Sequence, residues 1–375
     1  VIMQPEALIR PEILQMTPYT PIKPFEVLSR ELGIPIDQIV KLDANENPYG
    51  ASPKAIAALN HLQPQTPIYP DPASVDLRSA LAALLGVDMQ MVVVGSGADE
   101  LIELIFKLFL SQGDTFINCP PTFGMYSFLG DVGGTSMITV ERDADYQIDI
   151  AAIEAAVKYH NPKLIALVSP NNPDGGTVAR EDLERLLALD VMVILDEAYI
   201  AFAEPELTGE FGESNSARLV KQYPNLIVLR TFSKWAGLAG LRCGYGIMAP
   251  QIAQWVLTIK QPYNLNIAAN AAAQASLQDL PLLTDRVQQM LTERNRLYTE
   301  LATFEFLNPH QGSAANFILV AVEGRSAADL KQQLQQRGIL VRYFAKPRLE
   351  NHIRVSVGTA AQTDQLIAML KEITA

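Results

Sequence analysis

Seven short apolar runs, separated by stretches of helical periodicity, constrain this chain more than any other feature. They are Met91–Val94, Thr115–Cys119, Thr135–Val140, Leu164–Ser169, Val191–Leu195, Leu226–Leu229 and Gly244–Met248. Between most of them apolar residues recur at helical spacing, as in Leu101, Leu104, Ile105 and Leu108, or Ile153 and Val157. Strand, helix and strand in repetition predict an α/β fold with a mostly parallel sheet covered by helices on both faces. In such sheets ligands bind beyond the carboxyl ends of the strands. Several of the runs end in a polar or glycine-rich cluster, which is where a site is expected.

Near residue 264 the character changes. Ala268–Leu277 and Leu282–Phe304 read as long helices, the second joining two domains. Asn316–Val322, Gly338–Phe344 and Ile353–Val357 then read as parts of a smaller α+β unit. A helix opens there at Ser326, and Asp329 three residues on makes a capping box that satisfies free amides at the helix start. Leu366, Ile367, Leu370 and Ile373 share one face of a last helix. Residues 1–50 are rich in proline and weakly periodic, and read as an arm wrapping over the body or a partner subunit. The expected division is 1–50 for the arm and part of the small domain, 51–280 for the large domain, and 281–375 for the small C-terminal domain.

Composition removes several function classes. A chain of 375 residues with 49% hydrophobic and 19% charged content folds as a globular protein. The net charge of −12, without a basic cluster, argues against nucleic acid or an anionic membrane surface as a partner. Small anions stay open, since local arginines override a global sign. Cys119 and Cys243 adjoin apolar stretches and read as reduced, half-buried thiols of a cytosolic protein. His61, His160, His310 and His352 show no metal-ligand spacing, so no metal is expected. The first residues lack the basic and then apolar signature of a signal peptide. Asp196 and Glu197 interrupt the most apolar stretch, so no segment reads as a membrane span.

Four constellations carry chemistry. Ser233 and Lys234 follow the run Leu226–Leu229, with small residues and then Arg242 after them. A lysine there suggests an amine held near an anionic ligand, and lysine is the side chain that condenses with an aldehyde cofactor. By itself the pattern also describes a solvated surface lysine. Gly95-Ser96-Gly97-Ala98-Asp99-Glu100 joins a strand-like run to a helix, where free backbone amides favour an anion such as phosphate. It lacks the lysine and spacing of a nucleotide P-loop, and its carboxylates would repel phosphate unless they point away. Ser169-Pro170-Asn171-Asn172-Pro173-Asp174-Gly175-Gly176 follows another run, and an asparagine before proline is biased to extended geometry. Read locally, both of these segments also pass for tight turns.

Asp196-Glu197-Ala198-Tyr199 closes the run Val191–Leu195. An acid leaving a buried strand is costly unless paired. A protonated pyridine nitrogen would pair with it, as would an arginine, and a helix cap would also use it. Arg342 and Arg354 lie on adjacent strand-like segments, and guanidinium forks recognise carboxylate or phosphate with two parallel hydrogen bonds.

Taken together, these residues resemble the fold-type I, pyridoxal-phosphate-dependent aminotransferases. The likeness runs from Asp43-Ala44-Asn45-Glu46-Asn47-Pro48-Tyr49-Gly50 through Tyr69-Pro70-Asp71, Pro121-Thr122-Phe123-Gly124-Met125-Tyr126 and Pro262-Tyr263-Asn264 to Ile353-Arg354-Val355-Ser356-Val357-Gly358. The Asn-Glu-Asn-Pro-Tyr-Gly, Pro-Tyr-Asn and Val-Arg-Tyr-Phe elements point within that family to the histidinol-phosphate branch.

The resemblance implies that Lys234 holds pyridoxal 5'-phosphate and later moves a proton between the substrate carbon and the cofactor. It gives Asp196 to the pyridine nitrogen, Asn172 and Tyr199 to the phenolic oxygen, and Phe123 to the stacked ring. Ala98, Asp99, Ser233 and Arg242 fall at phosphate-binding positions, and Tyr69 at one that reaches the phosphate of a neighbouring subunit, which implies a homodimer. Arg354 falls where the carboxylate of glutamate or 2-oxoglutarate binds, Arg342 at a contact to substrate phosphate, and Asn47 and Tyr263 in substrate-binding segments.

The implied reaction is transamination between L-histidinol phosphate and 2-oxoglutarate in histidine biosynthesis, in the cytoplasm. The nearest alternatives on the same scaffold are an aromatic amino-acid aminotransferase and a phosphothreonine decarboxylase. A cofactor-sensing regulator would need a DNA-binding module, and the first 50 residues are short, proline-rich and not basic. Three departures from the family pattern stand out: Ala98 in place of a serine, Asp174 in place of a threonine, and Trp235-Ala236 in place of Ala-Phe. The first two are expected to weaken cofactor affinity or shift its pH dependence.

Overall fold

The computed structural model describes residues 4–18, 23–204 and 216–374; residues 1–3 and 19–22 of the expected arm lie outside them. The strands among the described residues are β1 Val40–Leu42, β2 Val92–Gly95, β3 Thr115–Asn118, β4 Ser136–Thr139, β5 Leu164–Val168 and β6 Met192–Asp196. They continue with β7 Leu226–Thr231, β8 Gly244–Ile247, β9 Leu307–Pro309, β10 Phe317–Val322, β11 Ile339–Tyr343 and β12 His352–Ser356.

Each of the seven apolar runs supplies one strand of a sheet ordered β2-β8-β7-β6-β5-β3-β4. Only β8 runs antiparallel to its neighbours, β2 and β7; the other pairings are parallel. Most of these strands are buried on both faces by covering helices, while β4, at the edge of the sheet, is largely exposed. Along β7, Leu226 and Val228 enter one core while Ile227 and Leu229 enter the other, the two-residue period of a strand buried on both sides.

A second sheet, ordered β1-β11-β12-β10-β9, has its own core, in which Val40, Leu42, Ile318, Val320, Ile339, Val341 and Val355 meet Leu330, Leu366 and Leu370. β1 is parallel to β11, so a segment near the start of the chain joins the C-terminal sheet. The helix Leu280–Leu301 buries Leu283, Val287 and Met290 in the first body and Leu297 and Leu301 in the second. One rigid rod of about 33 Å therefore spans both cores. Ser326 Oγ caps the helix Ala327–Gln336 by accepting from the Asp329 N–H at 3.2 Å.

In the arm, the turn Pro11–Leu14 lies against the helix Met125–Gly133, where the Arg10 guanidinium donates to the Val132 carbonyl. The helix Phe25–Leu32 packs Leu28 on Ile39 and Leu340 of the second body. Cys119 and Cys243 are fully buried, where half-burial was expected. Burial pushes their thiols up to about 11 and about 12, so neither is reactive near neutral pH. No helix among the described residues is long and apolar enough to cross a membrane.

Candidate active site

Parallel pairing sets the site. Val168 of β5 pairs with Asp196 of β6, and Asp196 pairs with Leu229 of β7, so the segments after these strands leave from one edge. β2 shares their direction because both it and β7 oppose β8. That edge gathers Asn172 after β5, Asp196 at the end of β6 with Tyr199 after it, Ser233 and Lys234 after β7, and the helix Gly97–Phe109 after β2.

Asp196 is 3% exposed. It accepts hydrogen bonds from Tyr126 Oη at 3.0 Å and from the Ala198 N–H at 3.1 Å, both uncharged donors. Burial pushes its carboxyl up to about 6, against the pull of those two donors. A buried carboxylate in this state calls for a cation. The neighbouring acid takes the arginine: Glu197 forms a buried ion pair with Arg230 at 2.7 Å. Of the partners read as open to Asp196, the protein's own arginine is thus committed next door.

Lys234 Nζ donates to the Ala44 carbonyl at 3.3 Å and stands 5.7 Å from the centre of the Tyr199 ring. The loop that crosses it, residues 43–50, is fixed by Asn47, whose Nδ2 donates to the Trp235 carbonyl at 3.0 Å and whose Oδ1 accepts from the Tyr49 N–H. Asn47 was expected to bind substrate, and the structure commits both ends of its amide to backbone. Gly237 faces the same loop so closely that a Cβ would sit 2.4 Å from the Gly50 carbonyl carbon.

Of the residues expected to hold phosphate, Ala98, Asp99 and Arg242 come together at the start of the helix Gly97–Phe109. Glu100 turns back to accept from the Ser96 N–H and from Asn264 Nδ2, which removes it from the anion side. Asp99 pairs with Arg242 at 2.6 Å on the surface. Gly97 has φ +80°, and a Cβ on it would lie 2.6 Å from Arg242 Nη2. Ala98 packs its backbone on Gly244, where a Cβ would come within 2.4 Å of the Ala98 nitrogen. The Ser233 and Thr231 hydroxyls lie 2.9 Å apart, and Thr231 Oγ1 also accepts from the Ser233 N–H and lies 3.2 Å from the Cys243 carbonyl.

Arg354 and Arg342 are register partners across β12 and β11. Arg354 is buried and gives one Nη to Asn172 Oδ1 at 2.6 Å and the other to the Asp43 carbonyl at 2.8 Å. Arg342 stands 5.6 Å from the centre of the Phe344 ring. Phe123 meets Tyr126 edge-on, with ring centres 6.4 Å apart. Tyr69 and Tyr263 stack on each other at 4.4 Å and are 77% and 48% exposed, so the structure packs them together and not on Lys234.

Asp174 differs from its expectation. It is fully buried and accepts from Asn171 Nδ2 and, at 2.7 Å, from the Gly176 N–H. It staples the turn that carries Asn172 and does not face the site as a free acid. The sequence reading gave no role to Tyr126, which bonds Asp196, or to Asn45, which bonds Tyr199. Tyr126 carried a signal: a fully buried tyrosine must find a partner for its hydroxyl. Two histidines that look scattered in sequence, His310 and His352, both approach the Tyr146 ring, with centres 5.4 and 6.3 Å away. No group of side chains among the described residues could hold a metal ion.

A lysine amine, a buried carboxylate and the start of the helix Gly97–Phe109 thus share one strand edge. The sequence matches the family described as aminotransferase class I and II over residues 37–370, and the chain belongs to that family. Among its relatives is a histidinol-phosphate aminotransferase of Roseiflexus castenholzii, 44% identical over 373 residues that cover 98% of each chain. A chloroplastic histidinol-phosphate aminotransferase of Nicotiana tabacum is 45% identical over 367 residues, covering 98% of this chain and 86% of that one. The crystal structure of histidinol-phosphate aminotransferase from Sinorhizobium meliloti, in complex with pyridoxal-5'-phosphate, superposes with a TM-score of 0.87 at 29% identity. That match covers 98% of this chain and 97% of that one.

Proposed function

We propose that this chain transfers an amino group between L-histidinol phosphate and 2-oxoglutarate, with pyridoxal phosphate as cofactor, a step of L-histidine biosynthesis. In the direction written the products are imidazole acetol phosphate and L-glutamate; biosynthesis runs the reverse. The observation that carries the reading is Asp196, a buried carboxylate whose two donors are neutral, at the strand edge that also presents Lys234. The named relatives supply the substrate.

The residues fit the cofactor. Asp196 would hold its ring nitrogen, Asn172 and Tyr199 its ring oxygen, and the helix start with Ser233 and Arg242 its phosphate. No hydrogen bond among the described residues uses Asn172 Nδ2, which leaves it to donate. Pyridoxal phosphate, when bound, supplies an aldehyde that takes up amines and a ring that withdraws electrons from the substrate carbon. Lys234 Nζ would hold the cofactor at rest and would move a proton to and from the substrate carbon. Tyr126 and the Ala198 N–H keep the Asp196 carboxylate in one orientation toward the ring cation. Arg354 receives the carboxylate of glutamate and 2-oxoglutarate, and Arg342 the phosphate of histidinol phosphate.

Two copies are proposed to form the working unit. Ile68, Tyr69, Trp255, Ile259 and Tyr263 are exposed apolar side chains on neighbouring segments, tied where Lys260 Nζ donates to the Pro72 carbonyl. A second copy would cover them and bring its Tyr69 to the phosphate. Buried, unpaired Cys119 and Cys243 suit a reducing compartment, and we place the protein in the cytoplasm.

The test is steady-state glutamate formation from 2-oxoglutarate with histidinol phosphate, phenylalanine or phosphothreonine as donor. The reading expects kcat/KM highest with histidinol phosphate. A higher value with phenylalanine would move the protein to the aromatic branch. Carbon dioxide release from phosphothreonine without glutamate would make it a decarboxylase.

A further inference from the structure

Arg354 and Ser356 lie two residues apart on β12 and so share one face of the sheet. Each reaches one of the two side chains assigned to the cofactor's ring oxygen. Arg354 does so directly, through Asn172. Ser356 does so through Asn45, and that relay has a single consistent direction. The Asn45 backbone N–H donates to Ser356 Oγ at 2.8 Å, and the serine's one proton goes to Asn45 Oδ1, also at 2.8 Å. This fixes the amide, so Asn45 Nδ2 faces Tyr199 and donates to its Oη at 2.9 Å. Turning the amide over would leave the serine proton buried without an acceptor.

The surroundings hold the relay in place. Asn45 is 1% exposed and Ser356 2%. Asn316 Nδ2 donates to the Asn45 carbonyl at 3.0 Å. Asn45 itself has φ +54°, a left-handed conformation that asparagine tolerates better than most residues. With a donor already directed at its oxygen, Tyr199 has its own proton left to point into the site.

We propose that Asn45 and Ser356 are positioning residues that orient the Tyr199 hydroxyl as a hydrogen-bond donor toward the cofactor's ring oxygen. This rests on the reading of Tyr199 under the proposed function. It also means that the strand bearing the substrate-carboxylate arginine governs both ring-oxygen contacts. A donor aimed at the ring oxygen favours its anionic form, so removing the donor raises the pH at which the bound cofactor takes up its proton.

The experiment is a visible-absorbance pH titration of protein loaded with pyridoxal phosphate, for the wild type, Tyr199→Phe, Asn45→Ala, Ser356→Ala and each of the latter two combined with Tyr199→Phe. Tyr199→Phe is expected to raise the midpoint. Asn45→Ala and Ser356→Ala are expected to raise it in the same direction by about half a pH unit, the worth of one ordinary hydrogen bond. Neither should add to Tyr199→Phe, because the relay acts only through that hydroxyl. Ser356→Ala removes a single oxygen, and its circular dichroism and melting curve verify the fold should Asn45→Ala not fold. An unchanged midpoint in folded Ser356→Ala, with Tyr199→Phe shifted, overturns the relay while sparing Tyr199. Full additivity in the double variants also overturns it. An unmoved Tyr199→Phe midpoint refutes the role of Tyr199 and the relay together, and the absence of any visible band in the wild type removes the cofactor reading itself.

Discussion

Asp196 should destabilise the protein that lacks its cofactor, and Asp196→Asn isolates the effect. Burial raises this carboxyl from 3.8 to about 6. At 1.36 kcal/mol per unit, that shift is about 3 kcal/mol. The folded pKa lies above the unfolded one, so the penalty is fully present above pH 6 and fades as pH falls from 6 to 3.8. Asparagine keeps the shape and an acceptor for Tyr126, but its Nδ2 cannot accept from the Ala198 N–H, a loss of about 1 kcal/mol. The expected net gain is therefore about 2 kcal/mol at pH 8, turning into a loss of about 0.5 kcal/mol near pH 4. Urea unfolding of cofactor-free wild type and variant, at one protein concentration across pH 4–8, reads the difference directly. A variant less stable than wild type at pH 8 would refute the argument. So would a difference that does not change with pH.

Further outcomes follow from the same contacts. Tyr126→Phe removes one of the donors that hold the Asp196 carboxyl down, so that group should titrate higher still, and the loss of cofactor affinity should be small at pH 8 and grow as pH falls toward 6; equilibrium dialysis of pyridoxal phosphate measures it. Asp174→Ala takes the acceptor from the Gly176 N–H and from one Asn171 Nδ2 proton, Nδ2 keeping its bond to the Pro121 carbonyl, which should lower stability by about 2 kcal/mol in denaturant titration. Gly97→Ala places a Cβ against Arg242 at a left-handed φ and should weaken cofactor binding at least tenfold while leaving the secondary structure intact by circular dichroism. Arg230→Met leaves Glu197 buried without its cation and should cost about 3–5 kcal/mol, seen as a lower midpoint in urea.

What the sequence made legible was local. Most of the seven runs were legible because a strand buried on both faces has few polar positions to disguise it, β4 being the largely exposed one, and the ends of β5, β6 and β7 gave Asn172, Asp196 and Lys234 in their chain order. The place of Asp174 was not legible because its partners, Asn171 and Gly176, make the acid a turn staple through backbone geometry that no periodicity encodes. Asn45 stayed hidden for a different reason. Its partners, Tyr199 and Ser356, are distant in sequence and meet it only once β12 stands over the edge of the larger sheet. β1 is three residues long inside a proline-rich arm, and its identity as a strand comes from pairing with β11, not from its own pattern. The phosphate cradle was ambiguous in sequence because the direction of Glu100 decides its charge, and Asn264, far along the chain, sets that direction.

The central claim is that Lys234 and Asp196 serve amino-group transfer from histidinol phosphate. The most direct measurement is a single half-turnover: protein loaded with pyridoxal phosphate is mixed with L-histidinol phosphate and no keto acid, and its visible band is followed. The account predicts a fast, stoichiometric loss of the band and its return on adding 2-oxoglutarate, with neither change in Asp196→Ala. A band that histidinol phosphate leaves untouched, or an Asp196→Ala protein that cycles at the wild-type rate, would contradict it.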